Sequence, residues 1–189
     1  IIHFIGIGGI GMSGLALIMK RMGFNIQGSD VQNNKNIERL QKSKIRINTK
    51  HNKKNISKAT IVVVSSAIKK NNPELIEAKK KMLPIYKRGQ MLANIVSLTK
   101  NIVVTGSHGK TTTTSILGHL LYECDVKLTA FLGGISENYH SNFILKGTDV
   151  SVVEADEYDR SFLTLSPDLA CITSMDADHL DIYGDASSL

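Results

Sequence analysis

Residues 105–113, Thr-Gly-Ser-His-Gly-Lys-Thr-Thr-Thr, carry the most specific chemistry in this sequence. A Gly-Lys-Thr triplet behind an apolar strand suits a polyphosphate: backbone N–H groups cradle it, Lys110 supplies a point charge to the β- and γ-phosphates, and the Thr111 hydroxyl can ligate magnesium. The common Walker spacing asks for glycine where Val104 stands, so a shorter loop is implied and a generic P-loop kinase is disfavoured. A second turn, Gly6-Ile7-Gly8-Gly9-Ile10-Gly11, has G-x-G-x-x-G spacing, with Asp30 closing the next apolar run. Its glycines let the backbone approach a pyrophosphate, a helix starting near Gly11 offers free N–H groups, and an acid after the second strand can accept ribose hydroxyls. That pattern fits NAD and an NAD-dependent oxidoreductase. It fits a UDP-sugar equally well, because both ligands carry pyrophosphate and ribose; a turn that only packs helix on strand is the plainer alternative.

Two acidic clusters, Glu154-Ala155-Asp156-Glu157-Tyr158-Asp159 and Asp176-Ala177-Asp178-His179, each follow an apolar run. Either one alone reads as a solvated loop, since Asp and Glu are common in turns. Carboxylates at neighbouring strand ends beside a triphosphate would instead hold magnesium and neutralise phosphate charge.

Holding these groups requires strands that end where helices begin. His3 to Ile7, Asn25 to Ser29 and Thr60 to Val64 read as buried strands, followed in turn by helical stretches Met12 to Met22, Lys35 to Ser43 and Pro73 to Lys81. A short strand, Leu83 to Tyr86, and a helix, Gly89 to Leu98, come next. Asn101 to Thr105 then opens the second glycine turn and a helix to about Cys124, and Val150 to Glu154 and Leu169 to Thr173 complete the strands. The alternation predicts an α/β fold: a Rossmann-like parallel-sheet domain over residues 1–98, followed by the first part of a P-loop α/β domain over residues 99–189.

Composition narrows the function classes. With 189 residues and 42% hydrophobic content the chain can bury a core in each of two small domains. The net charge of +6 comes from 23 basic and 17 acidic residues. Its lysines lie in stretches such as Lys50 to Lys58 without aromatic interleaving, a pattern of solvated faces rather than a nucleic-acid interface. An acidic, phosphorylated ligand is the more natural partner. Cys124 and Cys171 sit in apolar stretches and match no metal or redox spacing, so they read as reduced core thiols of a cytoplasmic protein. No apolar run is long enough to span a membrane, and the glycine-broken start, lacking a basic flank, is unlike a signal peptide.

At the two glycine turns and the acidic clusters the sequence resembles the Mur ligase family, across essentially the whole chain. The string at 105–113 is similar to the family's own ATP loop, which accounts for the departure from Walker spacing. Gly-Ile-Gly-Gly-Ile-Gly-Met-Ser-Gly at 6–14, Gly28-Ser29-Asp30, Val64-Ser65-Ser66-Ala67-Ile68 and Asn72-Pro73-Glu74 resemble the members that add L-alanine. The resemblance implies ATP-dependent ligation of L-alanine to UDP-N-acetylmuramate in peptidoglycan precursor synthesis, in the cytoplasm, without a nucleic-acid or membrane partner. It implies UDP-sugar contacts at Gly8, Gly9, Ile10, Gly11, Asp30, Ser65 and Ser66. ATP contacts fall at Gly106, Ser107, His108, Gly109, Lys110, Thr111 and Thr112. Lys110, Glu154 and His179 become the catalytic residues, Thr111 and Glu154 ligands of one Mg2+, and His179 the ligand of a second, with Asp178 in support. Ser174 stands where many members carry Asn. The Glu-Ala-Asp-Glu-Tyr-Asp string is also similar to the recycling ligase that attaches intact tripeptide, and a non-catalytic UDP-sugar-binding module is the alternative from another class. Because the chain starts in a strand without Met and stops after a charged cluster, it is expected to be a fragment lacking the family's C-terminal domain and to be inactive by itself.

Overall fold

Short apolar strands buried on both faces are the mark of a parallel sheet covered by helices, and the computed structural model, which describes residues 1–155 and 165–176, builds two such sheets. The chain divides into units Ile1–Leu92 and Ala93–Leu189.

In the first unit β1 (Ile2–Ile5) is central and buried at every residue. It pairs in parallel with β2 (Ile26–Ser29) on one side and β4 (Ile61–Val64) on the other. β3 (Arg46–Asn48) and β5 (Ile85–Lys87) extend the sheet in parallel, giving the order β3-β2-β1-β4-β5. Helix α1 (Ile10–Arg21) buries Met12 through Met19 without a break, so it reads as apolar all round, while Lys20 and Arg21 meet the negative end of its dipole. α2 (Lys35–Lys42) buries only Ile37 and Leu40; Asn34 caps it by accepting from the Ile37 N–H at 3.0 Å. α3 (Pro73–Lys80) begins with proline at its first turn, and the Asn72 side chain accepts from the N–H groups of Glu74 and Leu75. Ile5, Ile56, Val62, Leu75 and Ala78 close the core under α3. α4 (Arg88–Val96) contains the division between the units.

In the second unit β6 (Lys100–Thr105) lies between β9 (Val150–Glu154) and β10 (Leu169–Ile172), parallel to both. α5 (Lys110–Glu123) covers β7 (Leu128–Ser136), which pairs in parallel with β9. β8 (Ser141–Leu145) then returns antiparallel to β7, so the sheet β10-β6-β9-β7-β8 is mixed. The β7–β8 hairpin departs from the sequence expectation, which left residues 125–149 without strands. The cysteines depart too: Cys124 is exposed, because it caps the last turn of α5, and Cys171 is only half-buried on β10, a strand at the edge of the sheet.

Candidate functional site

The phosphate-type loop is built at the C-terminal edge of the second sheet, where α/β folds place their ligands. β6 delivers the chain to Gly106 at φ 128° and the turn ends on Gly109 at φ 79°, both in the left-handed region that favours glycine. Gly109 is the N-cap of α5 and leaves the first-turn N–H groups without a side-chain cap, an arrangement suited to anions. Thr112 lies exposed in that turn. The Lys110 ammonium folds back along the loop, donating to the carbonyls of Gly106 at 2.6 Å and Ser107 at 3.3 Å.

Glu154 ends β9 directly opposite Val104 of β6, which carries its carboxylate to the start of α5. There the Thr111 hydroxyl donates to Glu154 Oε1 at 2.7 Å, and the Gly133 N–H donates to Oε2 at 2.6 Å. The register of β7 shifts between Phe131 and Ser136, and such a bulge re-aims backbone groups out of the ladder. The donor set, one hydroxyl and one carboxylate, is hard oxygen, and it fits a magnesium ion that completes its shell with phosphate and water oxygens. Among the described residues no three His, Cys, Asp or Glu side chains gather to hold a metal. His179, expected to hold a second ion, and Asp178 lie outside the described residues.

The segment after β10 closes the other side of the loop. The His108 N–H donates to Ser174 Oγ at 2.8 Å, the Ser107 N–H to the Ser174 carbonyl at 3.2 Å, and the Ser107 hydroxyl to the Asp176 carbonyl at 2.6 Å. The Thr173 hydroxyl faces the carbonyls of Thr105 and His108. His108 and Asp176 side chains approach to 3.9 Å while both stay largely exposed, so their ion pair contributes little. Neither Gly133 nor Thr173 was marked by a sequence motif.

In the first unit the G-x-G-x-x-G turn joins β1 to α1, and Asp30 is drawn onto it. The Gly8 N–H donates to Asp30 Oδ2 at 2.8 Å and the Gln32 N–H to Oδ1 at 2.9 Å. Asn34 and Asn36 side-chain amides both donate to the Gly8 carbonyl. Gly9 is the uncapped N-cap of α1, with Ile10 exposed beside it. Ser65 packs next to the turn: a Cβ placed on Gly6 would lie 3.1 Å from its own Cβ, while Ser66 is exposed. Gly11 carries no Cβ for a similar reason, since one there would meet Arg88 Cδ at 2.9 Å. Arg88, absent from the sequence expectation, thus brings an exposed guanidinium over this turn.

Behind the turn lies a buried polar cluster. Glu74 is fully buried, with Oε2 near His3 Nε2 at 3.3 Å and His51 Nδ1 at 3.2 Å and accepting from the Ser29 hydroxyl. Its Oε1 accepts from the Asn52 N–H and the Asn55 amide. Burial by itself pushes the Glu74 carboxyl up, but the hydrogen bonds from His3, Ser29 and Asn55 together with the His3 charge outweigh it and lower it to about 2. One His51 nitrogen faces both Ser29 and Glu74, so the group is a structural clamp and not a nucleophile–base–acid relay.

Fold and site together define a class: an α/β protein of two units, each with a glycine turn between a parallel strand and a helix, one of them carrying Gly-Lys-Thr. Residues 1–100 match the profile described as Mur ligase family, catalytic domain, and residues 104–188 match that of the Mur ligase middle domain. The chain belongs to the Mur ligase family. Over its full 189 residues it is 62% identical to the UDP-N-acetylmuramate--L-alanine ligase of Pelagibacter ubique, of which it covers 41%. The solved UDP-N-acetylmuramate-alanine ligase MurC of Thermotoga maritima superposes with TM-score 0.82 at 34% identity, over 97% of this chain and 43% of that one. The UDP-N-acetylmuramate:L-alanyl-gamma-D-glutamyl-meso-diaminopimelate ligase of Neisseria meningitides gives TM-score 0.83 at 28% identity, over 99% and 64%. The chain thus spans about two fifths of the length of the curated relative it matches.

Proposed function

We propose that the protein carrying this chain ligates L-alanine to the lactyl carboxylate of UDP-N-acetylmuramate, using ATP, in cytoplasmic synthesis of peptidoglycan precursors. The 62% identity to the Pelagibacter ubique ligase across all 189 residues carries this reading. Residues 1–98 form the UDP-sugar domain in this account, and residues 99–189 are part of the ATP domain.

The chemistry needs activation, because a carboxylate repels nucleophiles and offers no leaving group. The carboxylate takes the γ-phosphoryl group of ATP with release of ADP, L-alanine's amine attacks the acyl phosphate, and the tetrahedral intermediate loses a proton and collapses to amide and phosphate. Gly106, Ser107, His108, Gly109 and Thr112 contribute the loop and helix terminus that bind the phosphates. Lys110 spreads the charge of the transferring phosphoryl group. Thr111 and Glu154 would hold one magnesium ion and His179 a second, and the metal would supply neutralisation of phosphate charge there. Gly8, Gly9, Ile10 and Gly11 receive the diphosphate of UDP; Asp30, Ser65 and Ser66 shape that pocket. Asp30 does so by bracing the Gly8 N–H.

The TM-score of 0.83 with the Neisseria meningitides ligase keeps tripeptide addition as the second reading. Full-length protein supplied with MgATP, UDP-N-acetylmuramate and equal amounts of L-alanine and tripeptide separates the two by product mass. An alanine adduct is expected. A tripeptide adduct makes the protein the recycling ligase, and no adduct at all removes both readings.

A further inference from the structure

An anion loop works only if its carbonyl oxygens are turned away from the anion, since each is a partial negative charge competing with the N–H groups beside it. Along residues 105–109 every carbonyl meets a protein donor. The Thr105 carbonyl accepts from the Thr173 N–H at 2.9 Å and faces the Thr173 hydroxyl at 3.1 Å. Those of Gly106 and Ser107 accept from Lys110, and that of Gly109 accepts from the Thr113 N–H at 2.9 Å. The His108 carbonyl lies 2.5 Å from Thr173 Oγ1. The hydroxyl has a single proton, and the shorter contact takes it.

The His108–Gly109 peptide is the one that needs holding. Its second residue is a glycine at φ 79°, and rotation of a peptide plane into a glycine is little opposed by sterics. In a trans peptide the C=O and N–H point in opposite directions. The hydroxyl that holds the His108 carbonyl towards β10 therefore also aims the Gly109 N–H away from β10, at the uncapped start of α5. Space for this hydroxyl exists because residue 106 is glycine: a Cβ there would stand 2.5 Å from Thr173 Oγ1.

We infer that Thr173 is a positioning residue of the phosphate loop, locking the His108–Gly109 peptide in the orientation that offers its N–H, and not its carbonyl, to the phosphates. This rests on the reading of residues 106–112 as the ATP loop. Without the hydroxyl the plane samples both orientations, and ATP binds only the fraction in the competent one, so apparent affinity falls while turnover of the bound complex is kept.

The test compares Thr173→Ala with Thr173→Ser in the full-length protein, which differ from one another only by the hydroxyl oxygen. Loss of one hydrogen bond predicts KM and calorimetric Kd for MgATP about two- to fivefold higher in T173A, with kcat and the KM for UDP-N-acetylmuramate near the unaltered values. T173S is expected to restore ATP affinity, and the unliganded melting temperature of both variants should stay close to that of the parent. ATP affinity in T173A equal to the parent's, or T173S as weak as T173A, overturns the inference. Failure of the parent itself to bind MgATP would overturn the ATP reading first, before either variant is made.

Discussion

At the residue scale the meeting of Thr111 and Glu154 is the feature from which activity can be argued. The two come from opposite ends of the loop–strand connection and meet at 2.7 Å because β9 runs in register with β6. Glu154→Gln keeps the volume and removes the charge that would help hold magnesium. In the full-length protein, on the proposed function, it should lower kcat by on the order of a hundredfold or more, and raise the magnesium concentration needed for half-maximal rate. A magnesium titration of initial rate checks both. On the proposed role of Lys110, Lys110→Ala is expected to lose a similar factor, in kcat more than in the KM for the sugar nucleotide. These positions were legible in the sequence because Gly-Lys-Thr and a glutamate ending an apolar run have local signatures. Gly133 and Thr173 were not: one lies inside β7 and the other just past the end of β10, and neither stretch carries a motif.

At the scale of elements, the buried cluster around Glu74 is the first unit's main polar commitment. Its folded-state value, about 2, lies below the ordinary glutamate value of 4.5. The carboxylate form is therefore favoured by folding: its contribution is complete above pH 4.5 and is lost as pH falls toward 2. Glu74→Gln should flatten the acid limb of the stability–pH curve between these values, and destabilise at pH 7 by about 1–3 kcal/mol, as measured by denaturant unfolding. β1, β2, β4 and α3 were readable from the alternation of apolar and helical runs, whereas β3 and the short helical turn Lys53–Ile56 beside the cluster were not. The cluster itself was not, because His3, Ser29, His51 and Glu74 are brought together by topology and share no spacing. The β7–β8 hairpin escaped for a different reason: Gly133-Gly134 reads as a strand breaker, whereas here it marks an irregularity within a continuing strand. Asp30, marked in the sequence for ribose hydroxyls, accepts in the structure from the backbone N–H groups of Gly8 and Gln32.

For the whole molecule, two units with separate cores and separate glycine turns imply separate responses to ligand. A ligand that binds only the folded form protects the unit that holds it. Hydrogen exchange on the full-length protein should show UDP-N-acetylmuramate slowing amides within residues 1–92, around the β1–α1 turn. MgATP should slow those of the 105–113 loop and the start of α5. The reverse assignment, or protection of both regions by UDP alone, would refute this division of labour.

The crowding of donors onto one carboxylate has a consequence for how sequences of this kind can drift. Replacing Glu74 alone strands the donors around it and replacing a buried partner alone weakens the hold on a buried charge, whereas replacing His3, Ser29, His51 and Glu74 together by apolar residues of similar volume leaves only the Asn52 N–H and the Asn55 amide to find new acceptors. Intermediate genotypes are thus less fit than either end, so the four positions should be inherited as a block. Across relatives they would then be retained together or exchanged together, with mixed combinations rare.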